Sequence, residues 1–154
     1  MLNTIRFELW PTVAYPPDQG VAIWIDGENL MGTICCLEAQ WWNVIDSPQP
    51  DGQYVWVPAR TALLPSRHLL GEPADGWCGD FSPVLVCNCG EYACRAYAPR
   101  IQVSGKQVSW SSWAEFPQEE SRLGNLLPSF VFDLADYQHE LQRVSEEYQQ
   151  RTNG

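Results

Sequence analysis

The chain has 154 residues, 45% of them hydrophobic, with 19 acidic against 9 basic side chains and a formal net charge of −10. That length and apolar content predict a single globular domain over 1–154, long enough to bury about two-thirds of its unfolded surface. With Lys106 as its one lysine, the chain lacks the cations that neutralise phosphates; nucleic acids and anionic membranes are therefore excluded as partners and a basic protein is favoured.

The first ten residues alternate polar and apolar side chains, with no basic start followed by an apolar run, so they do not read as a signal peptide. No apolar stretch approaches the roughly 20 residues that span a bilayer. The expectation is a cytoplasmic chain in which six cysteines are thiols or metal ligands rather than disulfides. Ile5, Phe7 and Leu9 share one face of a strand ended by Pro11, and Val21 to Ile25 reads as its hairpin partner across a turn-rich segment. After the punctuation Asp26-Gly27-Glu28-Asn29, the spacing of Leu30, Ile34 and Leu37 predicts a short helix, and the adjacent Cys35 and Cys36 read as buried in it. Asp46 to Gly52 reads as a loop, Tyr54 to Val57 as a short aromatic run, Leu63 to Gly71 as irregular, and Glu72 to Pro83 as a second Gly- and Pro-rich loop.

The segment from Arg95 to Trp113 carries the clearest pattern. Gly105-Lys106, with Gly first, suits a type II′ turn, so Ser104 should pair with Gln107, Val103 with Val108 and Ile101 with Trp110. These apolar pairs then fall on one face. Val84-Leu85-Val86 reads as a neighbouring strand and Ser129 to Phe132 as the last one. Asp133 is a natural N-cap for a helix from Leu134 to about Gln150, whose stripe Leu134, Tyr137, Leu141, Val144, Tyr148 repeats at 3, 4, 3 and 4 residues. The fold class expected is α+β: a mainly antiparallel sheet with this C-terminal amphipathic helix packed on one face.

The chemically suggestive stretch is Cys87-Asn88-Cys89-Gly90-Glu91-Tyr92-Ala93-Cys94. If Cys87 ends a strand, Cys87 and Cys89 point the same way and Gly90 permits a turn that returns Cys94. Cys87, Cys89 and Cys94 are thus candidate zinc ligands, but a closed site takes four, and Cys78 and His68, the available fourth ligands, lack ligand-pair spacing. A catalytic thiol would need a base, for which only His68 and His139 exist. Asp18, Asp26 and Glu28 could form an acid/base or cation site, yet they lie where turns call for such residues anyway. No phosphate loop, dinucleotide fingerprint, zinc-protease helix or nucleophile elbow is present.

From about Leu63 to Leu141 the chain resembles a group of small, largely uncharacterised bacterial proteins with a CxCGxxxC motif. The likeness rests on Leu64-Pro65 with His68-Leu69-Leu70-Gly71, on Val84 to Glu91 leading to Cys94, on Trp110-Ser111, and on Phe130 to Asp133 leading to Tyr137. Ala93 and Ser112 stand where that pattern has a glycine and an acidic residue, which weakens any shared active site. The resemblance implies a fold and no activity. Three functions then compete. The leading one is a toxin-neutralising immunity protein that plugs a basic bacterial toxin, using Asp18, Asp26, Glu28, Asp136 and Glu140 for the field and Trp77 as a short-range anchor, with no cofactor. The others are a zinc-stabilised binding or adaptor module and a small enzyme using the cysteine cluster.

Overall fold

The computed structural model describes residues 2–11, 18–44, 54–74, 76, 78–89, 95–116 and 127–153, with backbone alone over 41–44 and at 153. The predicted loop over 46–52, Trp77 and Cys94 lie outside these residues. Two antiparallel sheets form an α+β fold. The first is β1 (Ile5–Pro11), β2 (Gln19–Ile25) and β3 (Glu28–Asn29); the second runs β4 (Tyr54–Trp56), β5 (Leu85–Cys87), β6 (Ala96–Ser104), β7 (Gln107–Phe116) and β8 (Phe130–Asp133), neighbours in that order. Helix α1 (Leu30–Val44), the short α2 (Ala59–Ala62) and the C-terminal α3 (Leu134–Asn153) complete it, with a 3-10 turn at His68–Leu70.

The first hairpin pairs Ile5 with Ile25, Phe7 with Ile23 and Leu9 with Val21, so its apolar set lies on one inner face. Asp26 and Gly27 both have positive φ, the signature of a tight type I′ turn, and the two-residue β3 that follows pairs Ile25 with Glu28. The second hairpin keeps the predicted register from Ser104–Gln107 to Ile101–Trp110, with Gly105 at φ 60°. Ile101, Val108 and Trp110 are buried, but Val103 is 43% exposed: it shares their face at the tip, beyond the reach of the core.

Farther along, the register slips by one, because Ser112 and Trp113 oppose the single residue Pro99. Ser112 takes φ 51° in this bulge. Side chains alternate on a strand, so the extra residue reverses the phase: Trp110 points inward before it, and Trp113 and Glu115 after it.

The two sheets meet along both margins. Gly20 bridges Pro58, and the Val21 N–H donates to the Val57 carbonyl at 3.0 Å. A Cβ on Gly20 would lie 2.9 Å from that of Trp56, so glycine is what allows this approach. On the other margin Asn3 bridges Phe132 in parallel. Beyond that bridge α3 closes the edge of β1: the Phe7 N–H donates to Glu140 Oε1 at 2.9 Å and Arg143 Nη2 donates to the Phe7 carbonyl at 2.7 Å. One side-chain ion pair thus imitates a neighbouring strand and covers backbone groups that would otherwise invite pairing.

Asp133 caps α3, accepting from the Asp136 N–H at 3.0 Å. Tyr137, Leu141 and Val144 of the predicted stripe are buried in the main core. The Tyr137 hydroxyl donates to the Leu69 carbonyl at 2.5 Å and accepts from the Trp110 indole at 3.2 Å, tying helix, 3-10 turn and hairpin together. On α1 the predicted burial of both cysteines is corrected: Cys35 is half-buried and Cys36 exposed, because the core-facing stripe runs Leu30, Ile34 and Glu38.

Candidate functional site

The sites suggested by the sequence separate into carboxylates that the fold consumes and carboxylates that it leaves outward. Asp18, with its side chain only 8% exposed, receives Arg60 at 3.0 Å and the Tyr148 hydroxyl at 2.6 Å. Burial first and then Asp18 push the Tyr148 pKa up to about 12, so that hydroxyl stays a donor. Glu140 is committed to Arg143 and the Phe7 N–H; burial would raise its pKa, but those donors hold it below the usual carboxylate value. Both residues pin chain segments together.

Asp26, Glu28 and Asp136 are exposed, and Asn3 explains how they come to one end of the molecule. The Asn3 side chain donates to Asp26 Oδ2 at 2.7 Å and accepts from the Val131 N–H at 2.9 Å, while its own N–H donates to the Val131 carbonyl. The Asp26 turn is thereby held beside β8, whose last residue, Asp133, starts α3. Asp26 and Asp133 are separated by the width of three neighbouring strands, about 10 Å. Hydrogen bonds from the Thr4 N–H and Asn3 lower the Asp26 pKa and keep it ionised. No ion pair among the described residues involves Asp26, Glu28, Asp133 or Asp136. The Lys106 carbonyl caps the Leu134 N–H at the start of α3.

At the opposite extreme is a polar centre under α1 that the sequence reading missed. Glu38 is 0% exposed, and its Oε1 accepts from the Tyr54 hydroxyl at 2.5 Å and the Tyr97 hydroxyl at 2.6 Å, with Arg95 Nη1 at 4.0 Å. Glu115, turned inward by the bulge and directly opposite Tyr97, also hydrogen-bonds to that tyrosine. Burial, reinforced by the neighbouring charge, raises both tyrosine pKa values far above the ordinary range, so each hydroxyl remains protonated. Cys35 lies close enough for Glu38 to add to the effect of burial in raising its pKa, which disfavours the thiolate. The signal available in the sequence was an acidic residue at i+4 from Ile34 on an apolar stripe.

Cys78, a candidate fourth ligand, is separated by the sheet from Cys87 of the cysteine motif. Cys87 pairs with Tyr54 and lies on the Leu85 side of β5, with its thiol donating to Asn88 Oδ1 at 3.7 Å; Cys89 is exposed. Cys78 packs with Val86, Ala96, Ala98 and Phe116 on the other side of the same sheet, so it faces away from Cys87. His68 is buried, with Nδ1 accepting from the Ala74 N–H at 3.0 Å and Nε2 2.8 Å from the Pro83 carbonyl. An Nδ1 that accepts leaves Nε2 to carry the proton, so the ring is a neutral staple between two loop segments with neither nitrogen open to a metal or substrate. His139 is exposed on α3. Among the described residues no group of three or more metal-ligating side chains converges, and no helix is long and apolar enough to cross a membrane.

Comparisons of the chain with protein-family models, curated proteins and solved structures find no match.

Proposed function

We propose that this protein binds a more basic protein through its acidic Asn3 end, in the manner of an immunity protein that blocks a basic bacterial toxin. The observation that carries this reading is that Asp26, held by Asn3 beside β8, and Glu28, Asp133 and Asp136 have no arginine paired to them among the described residues, while Glu140 and Glu147 of α3 are matched by Arg143 and Arg151. Asp26 and Asp133 lie about a Debye length of 8–10 Å apart, so a partner feels them together, added to the net charge of −10. Such a field speeds encounter and selects against acidic partners. The likeness to small bacterial proteins with a CxCGxxxC motif supports the setting and supplies no chemistry.

The test is co-expression with a basic toxin encoded beside the gene. Growth rescue with co-purification of the two chains is the expected result. Failure of both, together with turnover of a small molecule that Cys89→Ser abolishes, would replace this reading with an enzymatic one.

A further inference from the structure

Beside the acidic end, the outer face of the first hairpin forms a cleft of about 440 Å³ lined by Thr4, Ile5, Arg6, Glu8, Trp24 and Gly27. Arg6 and Trp24 are direct cross-strand partners, so their side chains lie on the same face with Cβ atoms about 5 Å apart. Glu8 is two residues along the same face. Its carboxylate is held from both sides, by Arg6 Nε at 3.3 Å and by the Trp10 indole N–H at 3.4 Å. Trp10 is among the few large apolar side chains left exposed. Gly27 lines the opening next to Asp26, whose carboxylate accepts from the N–H of Thr4, another lining residue.

An indole and an oriented carboxylate are the elements that recognise a guanidinium group: the ring quadrupole attracts the cation and the carboxylate accepts its N–H donors. The protein's own Arg6, 68% exposed in its side chain, sits against that carboxylate. We propose that this cleft binds an arginine side chain of the basic partner, and that Arg6 is a resident competitor that the partner's arginine displaces. The proposal rests on the reading that the protein binds a basic protein, and it adds the residue type recognised and the place. Charge complementarity selects arginine over an apolar or acidic anchor, and Trp10 supplies the apolar cover at the edge.

Titration with N-acetyl-arginine methylamide, followed by the indole N–H resonance of Trp24, tests it. That N–H is buried with no hydrogen-bond partner among the described residues, so its resonance is a local reporter; Trp24→Phe assigns it. The expected result is a saturable shift of that resonance by the arginine probe and none by the uncharged citrulline analogue. Arg6→Ala should tighten binding about threefold and Glu8→Gln should weaken it about fivefold, the scale of exposed cation–π and ion-pair contacts. An unmoved Trp24 resonance, an equal response to citrulline, or indifference to Arg6→Ala overturns the pocket. If the pocket fails while the two-chain complex still forms, the partner docks elsewhere and only this inference falls. A saturable titration without any such complex retains the guanidinium site and overturns the broader reading.

Discussion

Two carboxylate-bearing regions of this molecule have opposite fates. Under α1, a fully buried Glu38 meets two tyrosine hydroxyls and Arg95; near Asn3, Asp26, Glu28 and Asp136 face outward with no basic partner among the described residues. A buried charge is tolerable only when donors in the fold replace its hydration, and once replaced it has little left to offer a ligand. An exposed charge contributes little to stability but keeps its long-range field. The difference marks the first region as structural and leaves the second available for the proposed recognition.

Removing the buried charge should have the largest effect. Glu38→Ala removes the buried acceptor shared by the Tyr54 and Tyr97 hydroxyls and the carboxylate facing Arg95, and is expected to cost about 3 kcal/mol in chemical denaturation; a loss below about 1 kcal/mol would mean that the centre is not the internal pin described. Glu140 lies between the extremes, since it is charged and partly exposed but bonded to the β1 edge. Glu140→Gln should cost about 1 kcal/mol at neutral pH. Because its folded pKa is depressed, the stability it contributes is present above the unfolded value near 4.3 and disappears as pH falls through the folded pKa. The acid limb of the stability curve should therefore be shallower in Glu140→Gln, and identical limbs would contradict the ion-pair role. Smallest in stability is the double variant Glu28→Gln with Asp136→Asn, expected within about 0.5 kcal/mol of the parent by thermal denaturation. A larger loss would place these two among the structural carboxylates and erase the contrast.

Much of the fold was legible because local rules and global packing agree. Gly105-Lys106 set a register that sends Ile101, Val108 and Trp110 inward, and the 3,4 stripe of α3 matches the residues it buries. The polar centre was not legible, since Glu38 finds its partners 16 and 59 positions away along the chain, and the bulge that turns Glu115 toward them occurs at Ser112 rather than at a glycine. The same limit applied to the proposed binding residues. Asp18 and Glu140 look like surface charge in sequence, and only tertiary contacts with Arg60, Tyr148 and Arg143 show them to be fasteners. Asp26-Gly27 did carry a hairpin signature, but with just two residues in β3 it reads as punctuation.

The central claim is that recognition runs through the outward carboxylates around Asn3. Its most direct test is the rate of association with the proposed basic partner, followed by stopped-flow from low to high salt for the parent and for Glu28→Gln with Asp136→Asn. The account predicts a rate that falls steeply with salt in the parent, a slower and flatter dependence in the variant, and nearly equal dissociation rates. Parent and variant curves that coincide at every salt concentration would contradict it.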